Sequence, residues 1–242
     1  MDGFETITFG ERYAEVYDTL CARDDTAATV DLLEQLAQGG PALELAIGTG
    51  RVAIPLAARG LRIEGVEISP PMVTELRAKP GGDQIPVTMG DFADVPVDGR
   101  YRLIFVVFNT LFNLTTQDAQ VRCFENVAAH LTDGGSFVGE ANVADLSRFR
   151  NGQYADVEAV ELDEVRLDVC RHDAVNQRMD ESHVRLTRDG VRLYPVVTRY
   201  AWPSELDLMA RIAGLRLLHR WSGWDRQPFT SESAAHVSVY GR

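Results

Sequence analysis

Three carboxylates stand where this chain can do chemistry. Glu44 lies just ahead of two glycines in Leu43-Glu44-Leu45-Ala46-Ile47-Gly48-Thr49-Gly50-Arg51. Glu67 closes the apolar run Leu61–Ile68, and Asp91 follows Ile85–Met89 in Met89-Gly90-Asp91-Phe92. A strand that passes through a glycine turn into a helix offers a ligand close main-chain approach and free backbone N–H groups. A carboxylate at the end of a second strand can accept both hydroxyls of a ribose. One after a third strand can accept an adenine amino group while Phe92 stacks on the ring. Acids at the carboxyl ends of successive parallel strands converge on one crevice.

The glycines alone leave two cofactor classes open, because Gly48, Gly50 and Ala53 satisfy the loose form of the dinucleotide fingerprint. Glu44 separates them. A pyrophosphate is repelled by a buried carboxylate directly before its loop, whereas a phosphate-free ligand with a cationic centre is attracted. A nicotinamide oxidoreductase would also call for a Tyr-x-x-x-Lys pair, and the sole lysine, Lys79, stands elsewhere.

The elements that would hold these residues alternate. Thr26–Gln38 has helical apolar spacing and ends at Gly39-Gly40-Pro41. Ala42–Ile47 reads as a strand, Arg51–Ala58 as a helix kinked by Pro55, and Leu61–Ile68 as a second strand. Pro70-Pro71 opens the helix Met72–Lys79, Ile85–Met89 is a third strand and Tyr101–Phe108 a fourth. Ala119–Leu131 is a helix stopped by Asp133-Gly134-Gly135, and Ser136–Ala141 a fifth strand. Such alternation predicts a doubly wound α/β fold with a parallel sheet covered on both faces.

Past residue 150 the period becomes two. Val157–Val169, His183–Leu186 and Val191–Tyr200, divided by Asn176 and Asp189-Gly190, read as a small antiparallel insert. Glu205–Ala213 is a helix ended by Gly214, and Leu215–Trp221 with Ala235–Tyr240 make an antiparallel hairpin at the sheet edge, seven strands in all.

The set Glu44–Gly50, Glu67, Asp91-Phe92 and Leu131-x-x-Gly134-Gly135 resembles the class I S-adenosylmethionine-dependent methyltransferases, which share a Rossmann-like fold. It is similar to their small-molecule type, including bacterial N- and O-methyltransferases of sugars and natural products. The resemblance covers roughly residues 10–142 and implies S-adenosylmethionine as cofactor and S-adenosylhomocysteine as product. It implies that Glu44 orients the methionine amino group and that Ala46, Ile47, Gly48 and Gly50 form the cofactor loop. Glu67, followed by Ile68, would hold the ribose, Asp91 and Phe92 the adenine. Phe108 and Asn109 would form the floor under the sulfonium, Tyr17 would close over the cofactor and bind it, and Asn109 and Tyr17 would serve catalysis. The family usually carries glycine at position 46, where this chain has alanine. Tyr17 equally reads as a packing aromatic.

Four segments follow: an N-terminal helical cap (1–40), the cofactor-binding core (41–150), the insert as a substrate lid (151–203), and the helix and hairpin completing the sheet (204–242). Tyr13, Phe112, Asn113 and His183 are candidate acceptor contacts, and His172 or His183 a candidate base. An amine acceptor needs only to arrive neutral, whereas a hydroxyl calls for a base. No residue announces itself as one, which favours N-methylation or O-methylation of an acidic group. A cofactor-binding protein without turnover remains a rival reading.

Composition narrows the partners. A formal charge of −12 with no basic patch excludes nucleic acid as the main partner. Cys21, Cys123 and Cys170 are too scattered for a disulfide framework, the five histidines show no metal-ligand spacing, and no metal is expected. The start, MDGFETITFGER, lacks a secretory pattern and no apolar run spans a membrane. The chain is read as a soluble, cytoplasmic protein with a small-molecule substrate.

Overall fold

The computed structural model describes all 242 residues. Five strands run parallel: β1 (Ala42–Leu45), β2 (Ile63–Glu67), β3 (Val87–Met89), β4 (Tyr101–Val106) and β5 (Leu131–Asn142). With the C-terminal hairpin of β10 (Arg216–Trp221) and β11 (Ala235–Gly241) they form one seven-stranded sheet in the order β10-β11-β5-β4-β1-β2-β3. The hairpin is antiparallel and joins through β11 to β5. Strand order reverses between β1 and β4, which opens a crevice at their carboxyl ends.

Side chains of β4 show why both faces are covered. Leu103 and Phe105 enter the cluster built on α3 (Thr26–Ala37) and α4 (Ala53–Ala58), with Leu33 and Leu56. Ile104 and Val106 point the other way, onto α6 (Gln117–His130) and α7 (Pro203–Ile212), among Phe124, Val127 and Met209. Each such side chain contributes roughly 1.5–3 kcal/mol by leaving water. Ser69 caps the remaining core helix α5 (Pro70–Ala78), accepting from the Met72 N–H at 3.4 Å, and Pro70 takes the first helical position.

The insert is a separate antiparallel sheet of β6 (Gln153–Val160), β7 (Glu164–Asp173), β8 (Arg178–Thr187) and β9 (Gly190–Arg199). The expected single strand Val157–Val169 is two strands, turned at Glu161-Leu162-Asp163, where no glycine, proline or asparagine signals the reversal. Pro55 does not kink a helix: α4 starts at Ala53, so the proline falls in its first turn, where its missing N–H does little harm. The third strand shrinks to Val87–Met89.

The N-terminal helices α1 (Thr8–Tyr13) and α2 (Tyr17–Leu20) fill the angle between insert and core. Gly10 lets α1 approach the α5 cap, since a Cβ there would lie 2.1 Å from the Ser69 hydroxyl. Tyr13 stacks on Phe9 and donates its hydroxyl to the Tyr194 carbonyl of β9 at 2.9 Å. No helix is long and apolar enough to cross a membrane.

Candidate active site

The turn after β1 is left-handed three times over: Ala46 has φ 55°, Gly48 φ 57° and Gly50 φ 81°. Glycine takes this geometry freely, whereas a Cβ at Ala46 costs about 1 kcal/mol. That strain explains why glycine is the usual residue there. Gly48 faces the crevice. Gly50 does not; a Cβ on it would lie 2.2 Å from Leu76, so its smallness seats the loop on α5. Ile47 also turns away, its side chain buried over Gly65.

Below the loop, Glu44 is 3% exposed and its Oε2 has no hydrogen-bond partner. Burial pushes its carboxyl up to about 8, against the pull of Arg51. Glu67 is satisfied instead: Oε2 accepts the Gly48 N–H at 2.9 Å, and Oε1 accepts those of Ile68 at 3.0 Å and Ser69 at 2.9 Å. Burial raises its pKa while these amides oppose the rise. Its carboxylate thus shapes the glycine loop before any ligand arrives. Asp91 accepts the Ala93 N–H at 2.9 Å and stands with Phe92 in the crevice wall.

The floor comes from Phe108 and Asn109, both left-handed at φ 58° and 63°. Glu140 of β5 holds that turn, accepting the Phe108 N–H on Oε2 at 2.6 Å and the Asn109 N–H on its carbonyl at 3.2 Å. Asn109, which lines the cavity, has its Oδ1 already taken by the Asn142 N–H at 2.9 Å, so its amide nitrogen is the group left to donate. Glu140 also accepts from Arg23 at 2.8 Å, and that guanidinium sits 5.0 Å from the Phe108 ring centroid. Tyr17 meets Phe108 edge-on at 6.4 Å, and burial raises its phenol, so it stays protonated. Asp18 fastens the cap to the loop: it accepts the Thr49 hydroxyl at 2.7 Å and pairs with Lys79.

These parts enclose one cavity of about 610 Å³. Tyr13, Tyr17, Ala46, Gly48, Glu67, Ile68, Asp91, Phe92, Phe108, Asn109, Phe112, Asn113 and His183 all line it, while Glu44, Ile47 and Gly50 lie beneath or beside it. The insert supplies a wall that includes Met179, Glu181, Thr198 and Tyr200. His183 has both ring nitrogens engaged. Glu158 holds its Nδ1 at 2.9 Å and Glu181 its Nε2 at 3.0 Å, and these carboxylates push it up to about 9. His172 is likewise engaged, with the Tyr200 hydroxyl at 3.2 Å.

Sequence reasoning missed Glu140 and Arg23. A lone acid inside the apolar run Phe137-Val138-Gly139-Glu140-Ala141 is the signal that marks the first; nothing local marks the second. Glu181 was hidden in a strand whose register the sequence left open.

Known proteins share this fold. A family described as a methyltransferase domain matches residues 42–135. The CcbJ methyltransferase from Streptomyces caelestis is 36% identical, with 98% of each chain covered and a TM-score of 0.92. The cypemycin N-terminal methyltransferase of a Streptomyces species is 26% identical over 207 residues, 84% of each chain. The fold is also that of CalS10, an amino pentose methyltransferase from Micromonospora echinaspora solved with S-adenosylmethionine bound, at TM-score 0.68 and 20% identity over 94% of this chain and 95% of that one. The chain belongs to the class I S-adenosylmethionine-dependent methyltransferases.

Proposed function

We propose that this enzyme methylates an amine nitrogen of a small molecule, and that the crevice at the strand ends holds the cofactor. The carrying observation is that His183 in the cavity wall has both ring nitrogens taken by Glu158 and Glu181, while the Tyr13 hydroxyl is spent on the Tyr194 carbonyl. Tyr13 and Tyr17 are held as phenols by burial, Cys21 is pushed up to about 11 by burial, and His183 is held as a cation. A hydroxyl acceptor would need a base poised near neutrality, whereas an amine attacks once it arrives neutral. Two similar proteins, the cypemycin N-terminal methyltransferase and the amino pentose methyltransferase CalS10, agree with a nitrogen acceptor.

The residues fit the cofactor. Glu44, with one oxygen orphaned under the loop, is a site for a cationic centre, namely the ammonium of the methionine moiety. Glu67 would hold the ribose hydroxyls, Asp91 the adenine amino group, and Phe92 would pack on the base. When bound, S-adenosylmethionine supplies an electrophilic methyl group on sulfur. The chain aligns the acceptor and excludes water: Phe108 and Asn109 form the floor, Tyr17 closes from the cap, and the Asn109 amide donates to the acceptor. The cap (1–40) covers the cofactor, the core (41–150) binds it, the insert (151–203) selects the acceptor, and residues 204–242 complete the sheet. Phe112 and Asn113 border the acceptor side, with Tyr13 supporting the cap.

The test is transfer of an isotope-labelled methyl group to matched acceptors bearing an amine, a hydroxyl or a carboxylate on the same scaffold. Label on nitrogen alone supports the reading. Label on oxygen with matched amines inert would overturn it.

A further inference from the structure

The insert carries a feature that cofactor binding does not use. Antiparallel register sets Asp168 of β7 opposite His183 of β8, with Glu181 on the same face of β8. One ligating atom from each of the three lies within 4.8 Å of the others. Glu181 and His183 border the cavity, and Asp168 sits behind Arg148 and Tyr154, which also border it.

Asp168 is 7% exposed, and its two oxygens differ. Oδ2 accepts from Arg148 at 2.9 Å and from the Tyr154 hydroxyl at 2.8 Å, while Oδ1 is buried with no partner. A buried acceptor without a donor is costly, so it marks a place for a donor the chain does not supply. The surroundings fix that donor's charge. Asp156 and Asp168 pair with Arg148, and Glu158 and Glu181 with His183, so four acids share two cations.

We propose that Asp168 and Glu181 form a subsite that first holds the acceptor's amino group as its ammonium, which then gives its proton to solvent and reaches the sulfonium neutral, so that the insert selects cationic small molecules. This deepens the amine reading above and rests on it. Two oxygens that each accept from a tetrahedral ammonium at about 2.9 Å stand roughly 4.7 Å apart, within the span available here. A divalent metal is the other cation such a cluster could attract. It binds a neutral imidazole nitrogen, so His183 would have to lose a proton and break its Nε2 contact with Glu181. An ammonium joins with that contact intact.

The experiment is calorimetry on the full chain saturated with S-adenosylhomocysteine. The probes are methyl glycosides of amino sugars and amides of short peptides with free N-termini, each paired with its N-acetylated form. At least one amine is expected to bind at millimolar concentration or better, and to lose about ten-fold on acetylation. Glu181→Gln and Asp168→Asn should each weaken that amine by about ten-fold and move S-adenosylhomocysteine affinity by less than about two-fold, which separates a lost contact from a misfolded insert. Unchanged amine affinity in both variants would overturn the subsite, as would failure of every amine to bind. Tight Zn²⁺ or Mn²⁺ binding abolished by Glu181→Gln would replace it with a metal site. Methylation of an amine that ignores both variants would remove the subsite and leave the proposed reaction standing; methylation of alcohols alone would remove both.

Discussion

Replacing Glu44 by glutamine should stabilise the free protein and weaken the cofactor. The folded chain holds this carboxyl near 8 against an ordinary 4.5 because burial disfavours its charged form. A raised acid favours folding fully below pH 4.5, and that favour fades as pH rises towards 8, because the unfolded chain gives up its proton first. At pH 7 the gap of about 2.5 units amounts to roughly 3 kcal/mol, at 1.36 kcal/mol per unit. Glutamine stays neutral throughout and removes that loss. Its amide nitrogen would sit where Oε2 has no partner, a penalty of about 1–2 kcal/mol at every pH. Glu44→Gln is therefore expected to gain about 1–2 kcal/mol at pH 7 and to lose about as much below pH 5, so that the two stability curves cross. Urea unfolding of the free protein at pH 5, 6, 7 and 8 reads this directly. Parallel curves, or a variant weaker at every pH, would refute the reasoning about the buried carboxyl. The same substitution should weaken S-adenosylhomocysteine by about ten-fold, because an amide offers a bound ammonium no opposite charge.

Other consequences are equally direct. Asp91→Ala should weaken S-adenosylhomocysteine by about ten-fold with little change in unfolding temperature. Glu67→Ala should weaken it as much and also destabilise the fold by about 1–3 kcal/mol, since three loop amides lose their acceptor; calorimetry with thermal unfolding checks both. Ala46→Gly relieves a left-handed alanine and should add about 0.5–1 kcal/mol in urea unfolding, with cofactor affinity kept. Tyr17→Phe is expected to lower kcat severalfold while cofactor affinity holds, and kinetics identical to the parent would make Tyr17 a packing residue.

The core was legible because its signals are local. Alternating apolar runs, Gly48 and Gly50, and acids at the ends of strands depend on neighbours in sequence, and the sheet places Glu67 and Asp91 where that pattern predicts. The turn at Leu162 was not, because it lacks glycine, proline and asparagine and is imposed by the pairing of β6 with β7. The engagement of His183 was hidden for a related reason: its two carboxylate partners come from different strand positions, and only the register reveals them. Glu140 illustrates the same limit. Its burial could be read from its strand, but its grip on Phe108 and Arg23 spans residues brought together only by the folded sheet and cap.

The central claim is that the crevice at the carboxyl ends of β1, β2 and β3 holds S-adenosylmethionine over a buried acid. One measurement addresses it most directly: calorimetric titration of S-adenosylhomocysteine into the wild-type protein at pH 7, repeated in buffers of different ionisation enthalpy, with NADH as the control. One-to-one binding is expected, with NADH silent and with protons released as Glu44 ionises beside the incoming ammonium. Binding of NADH, or of S-adenosylhomocysteine with no proton released, would contradict the account.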